Sequence, residues 1–174
     1  KDAGAEVETF VFNSLSKNDT EESYKLLADK IRKAQILGLP NGQIYGDEPE
    51  AAGKLLNIVF NNLYIKEALQ ELLENNDGLV LGIGEGAIGL VKLTSNFYVR
   101  FTSDLVDVKV LSNLSPWMNE MEVGETYTVP IATKEGRILF GNNADKLLSN
   151  GQITTQFVSN NLTGSEKSVE SLTS

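Results

Sequence analysis

The segment best placed to do chemistry is Gly82-Ile83-Gly84-Glu85-Gly86-Ala87-Ile88-Gly89, which follows a short apolar run and opens an apolar helical stretch. It supports two readings. As G-x-G-x-x-G over Gly84 to Gly89, it would let the backbone approach a pyrophosphate at a helix N-terminus. The acidic residue expected about 20 positions on would then be Asp104 or Asp107. Glu85, however, would set negative charge beside the phosphates, and the motif holds no cation to offset it. At least two strands also precede the motif, whereas the dinucleotide fingerprint usually sits on the first. The expectation is no NAD or nucleotide binding here. As G-x-Nuc-x-G, the same residues form a sharp strand-to-helix elbow that holds a nucleophile on a strained turn. Gly82 and Gly86 are then the flanking glycines and Gly84 stands at the nucleophile position, where it has no side chain to attack with.

The rest of the sequence narrows the chemistry further. Its 174 residues include no cysteine and no histidine, so they hold no thiolate nucleophile and no imidazole base. Serine–histidine and cysteine–histidine catalysis are excluded within them. Asp47 and Glu48 with Glu85 could be drawn as a metal site, but carboxylates near a loop read first as a solvated face, and no metal is expected. Tyr45 and Tyr127 offer hydroxyls whose ordinary pKa near 10 suits them poorly to base work. Arg137 could hold a substrate carboxylate or pair with Glu135. Trp117, after Pro116, reads as packing in the core, under a lid or at an interdomain contact. A net charge of −9 disfavours nucleic acid and anionic lipid as partners. No stretch is apolar enough to span a bilayer, no secretory signal opens the chain, and the lack of cysteine fits a cytoplasmic protein.

These residues must be positioned by regular elements. Val7 to Phe12 reads as a strand. Glu21 to Lys33 has helical spacing, with Asp19 or Thr20 as cap. Ala34 to Leu39 reads as a strand closed by the Pro40-Asn41-Gly42 turn. Helices follow over 51–61 and 65–74, then a buried strand over 78–81 and a short helix over 87–93. Alternating strands and helices imply βαβ units with a largely parallel sheet. After Leu93 the texture changes. Residues 97–111, 126–131, 137–140 and 152–158 read as strands, some antiparallel, with one helical turn over 145–149. Residues 159–174 are polar and weakly patterned.

With these segments in place, a family resemblance emerges. Asp77-Gly78-Leu79-Val80-Leu81-Gly82-Ile83-Gly84-Glu85-Gly86 resembles the D-G-L-x-L-G-I-C-N-G elbow of class I glutamine amidotransferases. Ile36 to Glu48 resembles the L-P-G-G-F-S-x-G-D oxyanion loop. Ser112 to Trp117, Val123 to Arg137 and Asn150 to Phe157 narrow the likeness to the glutaminase domain of the phosphoribosylformylglycinamidine synthases, over nearly the whole chain and in the same order. That resemblance implies a flavodoxin-like α/β fold with an added antiparallel region, in one domain over 1–174. The family releases ammonia from glutamine, and a separate ATP- and magnesium-dependent synthetase domain uses it in purine synthesis. No cofactor is implied for this domain itself.

The departures from the family pattern fall on the chemistry. The cysteine corresponds to Gly84, the asparagine after it to Glu85, and a glutamine further on to Ile88. Asn41 replaces the first glycine of the oxyanion pair, while Gly42 remains. Thr133 replaces the histidine of H-G-E-G-R, while Glu135, Gly136 and Arg137 remain. Glu170 to Ser174 stands where the family's H-x-E segment would come, and the chain is shorter than the family after Leu93 and after Val158. These features imply a piece of a longer chain with a vestigial glutamine pocket at Asn41, Gly42, Gly84, Glu85, Ile88 and Thr133. It would have no glutaminase activity and would dock on a synthetase in the same or a partner chain. The alternative is a stand-alone module binding a small molecule or protein in the vacated pocket.

Overall fold

The first helix is set by its cap. Ser16 has extended backbone angles, its Oγ accepts from the Asp19 amide (3.1 Å) and donates to the Asp19 carboxylate (2.6 Å). This reciprocal box starts α1 at Lys17–Lys33, one turn earlier than expected. The computed structural model describes residues 4–40, 51–88, 93–94 and 101–173. They divide into two compact units, residues 1–39 with 54–81 and residues 40–53 with 82–174.

In the first unit, β1 (Ile36–Leu39) follows α1, then come α2 (Ala51–Asn61), α3 (Leu63–Gln70), a π-turn over Glu71–Asn75, and β2 (Leu79–Gly82). β1 and β2 lie side by side and parallel, as a crossover through helices requires. The core is Ala28, Ile31, Val59, Ile65, Ala68 and Leu72, supported by Phe12, Tyr24, Leu37 and Val80. Ile31, Ile65 and Leu72 are almost wholly buried, each contributing roughly 1.5–3 kcal/mol of transfer free energy. The strand expected over Val7 to Phe12 has no ladder among the described residues. Val7 and Val11 are exposed. The run is instead anchored by its aromatic end, Phe12 packing edge-on to Tyr24 at 5.0 Å.

The start of β2 explains part of the motif. Asp77 takes a left-handed conformation (φ 51°), and the Gly78 amide donates to the Leu72 carbonyl at 2.8 Å. A Cβ at Gly78 would stand 2.2 Å from Leu72 Cδ1 and 2.9 Å from Leu72 O. The Asp-Gly pair is thus required by the close passage of the chain over Leu72, before any question of catalysis.

The second unit holds α4 (Glu85–Ile88), β3 (Leu93–Thr94), β4 (Thr102–Val110), β5 (Thr126–Thr133), β6 (Arg137–Ile138), α5 (Ala144–Ser149), β7 (Ile153–Phe157) and β8 (Val169–Leu172). Leu93, expected at a helix end, belongs to β3, which pairs antiparallel with β6. The other strands form an antiparallel sheet in the order β5-β4-β7-β8. Pro130 sits in β5, an edge of this sheet, where a missing N–H is tolerated. Val106, Val108 and Phe157 form one core cluster, and Ile138, Ile153 and Val169 another. The α/β class with an added antiparallel region is the fold observed. β8 was not foreseen, because it arises in a polar stretch. Its partner strand β7 turns Thr154 and Thr155 inward, and Ser171 lies 2.5 Å from each of their hydroxyls.

Candidate functional site

β2 runs directly into the elbow. Gly84 has φ 56°, in the left-handed region that side-chain-bearing residues avoid. The Gly86 amide donates to Ile83 O and the Ala87 amide to Gly84 O, both at 3.0 Å, so α4 begins within the turn. Gly86 is buried, while Ile83 and Gly84 are exposed. The turn therefore has a left-handed backbone at its centre, which Gly84 adopts without strain and to which it adds no side chain. The main chains of Glu85 and Ile88 lie in α4. Asn41, Gly42, Tyr45, Asp47 and Glu48, and with them the oxyanion loop, lie outside the described residues.

Asp104 and Asp107 lie on β4 and are both committed locally. Asp104 Oδ1 accepts from the Leu105 amide (2.8 Å), and Asp107 Oδ1 accepts from Thr128 Oγ1 across the strand pair (2.6 Å). Among the described residues no group of three carboxylates, histidines or cysteines is placed to hold a metal.

Thr133 closes β5 and is buried. Its Oγ1 accepts from the Glu135 amide at 3.2 Å, a hydroxyl-closed turn in which the side chain serves the main chain. The following residues are held by a segment the sequence reading left without a role. Ser165 Oγ accepts from Ile138 N (3.0 Å) and donates to Gly136 O (3.2 Å), so one side chain satisfies a backbone group of β6 and one of the residue before it. Arg137 Nε donates to Gly164 O (3.0 Å), and Phe140 N donates to the Glu166 carboxylate (2.9 Å). Asn161 braces this segment from within. Its Oδ1 accepts from Gly164 N and Ser165 N, and its Nδ2 donates to Ser165 O. Gly136 sits in a tight place, since a Cβ there would lie 2.8 Å from Thr133 Cγ2 and 3.0 Å from Thr163 Cγ2 and would force a threonine to shift. Asn161, Ser165 and Glu166 are thus the residues missed. Their one sequence signal was an Asn-x-x-Gly-Ser cluster, which resembles an ordinary loop until the facing strand is seen. Trp117, expected in a packed setting, is 39% exposed.

A strand–elbow–helix on an α/β scaffold, followed by this antiparallel region, defines a glutamine amidotransferase-type domain. The model of the CobB/CobQ-like glutamine amidotransferase domain matches residues 1–94 and 88–174. The chain belongs to that family. It is 32% identical over 143 residues to phosphoribosylformylglycinamidine synthase subunit PurQ of Thermotoga maritima, covering 77% of this chain and 63% of that protein. The structure of PurLQS from Thermotoga maritima superposes with a TM-score of 0.59 at 24% identity, covering 78% of this chain and 60% of that one. The chain therefore spans under two thirds of the length of either relative.

Proposed function

We propose that this chain is a phosphoribosylformylglycinamidine synthase glutaminase domain of purine biosynthesis that has lost glutamine hydrolysis and serves as a docking lobe beside an ATP-dependent synthetase. The observation that carries this reading is Gly84. The elbow keeps the left-handed backbone of a nucleophile position but offers no atom to form a thioester. No histidine in the chain can take a proton at that site. The similarity to PurQ supports the purine-synthesis assignment. ATP and magnesium belong to the synthetase in this reading, and neither to this domain. Nothing in the packing of Asp104 or Asp107 favours a nucleotide at the glycine motif.

The test is to measure amidine formation by the assembled synthetase with free ammonium and with glutamine as nitrogen donor. Activity with ammonium alone is expected. Glutamate release by the purified chain above buffer background would overturn the loss of glutaminase activity.

A further inference from the structure

The loop between β4 and β5, residues 111–124, leaves and returns at one point. Val110 N donates to Glu125 O (2.9 Å), and Gly124 N donates to Val110 O (2.8 Å). Inside it, Met118 N reaches Ser115 O (2.9 Å), Met121 N reaches Met118 O (3.0 Å), and Asn113 Nδ2 reaches Met121 O (3.2 Å). Compact closed loops of this kind hold their own shape and frequently carry function.

Several of its apolar residues face outward. Ser112 and Ser115 are buried at 6% and 3% exposure, whereas Leu114, Trp117 and Val123 stand out at 74%, 39% and 58%. Three large apolar side chains on a hydrogen-bonded loop are disfavoured in water but preorganised for a partner, because little entropy remains to be lost on binding. Glu120, Glu122 and Glu125 are exposed alongside, and the sequence holds no Lys or Arg between Lys109 and Lys134.

We infer that this loop is the knob by which the domain seats on its synthetase, with Trp117 entering an apolar pocket rimmed by Lys and Arg. The inference rests on the docking role proposed above and assigns it a surface. Charge sets the partner chemistry: a basic rim attracts the three glutamates, whereas a second copy of this chain would oppose them with its own.

The experiment is calorimetry of the full chain against the purified, separately expressed synthetase, at low and high salt. Trp117→Ala should weaken binding about 30-fold, as for an interface anchor. Glu120→Lys with Glu122→Lys should weaken it about 10-fold at low salt, the difference shrinking at high salt. Leu105→Ala, at an equally exposed leucine on β4 (67%), should change nothing, and thermal melts check that each variant folds. If both loop variants bind like the unmodified chain, or Leu105→Ala weakens binding equally, the loop assignment is overturned and the docking reading stands. If the unmodified chain does not bind at all, both fall. Self-association abolished by Trp117→Ala would overturn the choice of the synthetase as occupant.

Discussion

Replacing Gly84 separates what the backbone of the elbow requires from what a side chain there would do. With φ at 56°, any side chain at this position enters the left-handed region, at a cost of roughly 1–2 kcal/mol. Against this, removing glycine stiffens the unfolded chain and returns about 0.4–1 kcal/mol. Gly84→Ala should therefore destabilise by about 1 kcal/mol, or about 2–4 °C in Tm for a chain of this size. Asparagine tolerates the left-handed region, so Gly84→Asn should lose less than half as much. Urea unfolding read by circular dichroism, with the slope shared across variants, measures both. Gly84→Cys should match alanine in stability and still release no glutamate. At an ordinary thiol pKa of about 8.5 only about 3% is thiolate at pH 7, and the chain has no histidine to raise that fraction. An alanine variant as stable as the parent would refute the strained-elbow geometry. Glutamate release by the cysteine variant would refute the requirement for a histidine.

Three further outcomes are expected. Gly78→Ala should destabilise by about 1–3 kcal/mol, because its Cβ would meet the backbone oxygen of Leu72 at 2.9 Å; a neutral result in the same urea assay would contradict that packing. Ser165→Ala strips hydrogen-bond partners from Ile138 N and Gly136 O together and should lose about 1–3 kcal/mol. Faster hydrogen exchange at Ile138 would localise the loss to β6, and unchanged exchange there would contradict the bridge. The Tyr127 hydroxyl, 2.5 Å from the Glu125 carboxylate, is held above its ordinary pKa of 10.0, first by that hydrogen bond. The neutral phenol is the form favoured by folding, so its contribution is present below pH 10 and is lost as pH rises through the folded value. The difference titration of parent against Tyr127→Phe should shift toward lower pH when Glu125 is changed to Gln, and no shift would remove the bond.

How much of this was legible depended on whether apolar spacing carried the signal. The amphipathic α2 was readable because its apolar side recurs at helical spacing, and its bounds, Ala51–Asn61, match the expectation. α1 was placed a turn late because the capping weight went to Asp19 and Thr20, although Ser16 with Asp19 three residues on makes the box that starts the helix. β8 escaped because its own segment is mostly polar: Val169 alone of its four residues is buried, and Ser171 meets Thr154 and Thr155 through hydroxyls, which a search for alternating hydrophobes does not see. The run over Val7 to Phe12 failed in the opposite sense: it has strand composition but no neighbouring ladder among the described residues. At the site, the elbow was visible as glycines at fixed spacing. The segment Asn161–Glu166 was not, because its function is to complete the backbone of a strand many positions away.

That last point separates what folding requires of these residues from what catalysis would require. Thr133 Oγ1, Ser165 Oγ and the Glu166 carboxylate each pair with a backbone donor or acceptor of the domain itself. A buried main-chain group left without a partner costs about 1–3 kcal/mol, and a domain has only about 5–15 kcal/mol in total. Two or three such losses would therefore threaten the fold. At Gly84 a glycine holds the left-handed backbone without strain, so the turn itself makes no demand for a nucleophile there. A loop kept only for catalysis would have no such protection. The closed loop at 111–124 bears on the same question: its buried serines serve the fold, while Leu114, Trp117 and Val123 face solvent on one hydrogen-bonded loop, the surface that the calorimetry above puts to the test.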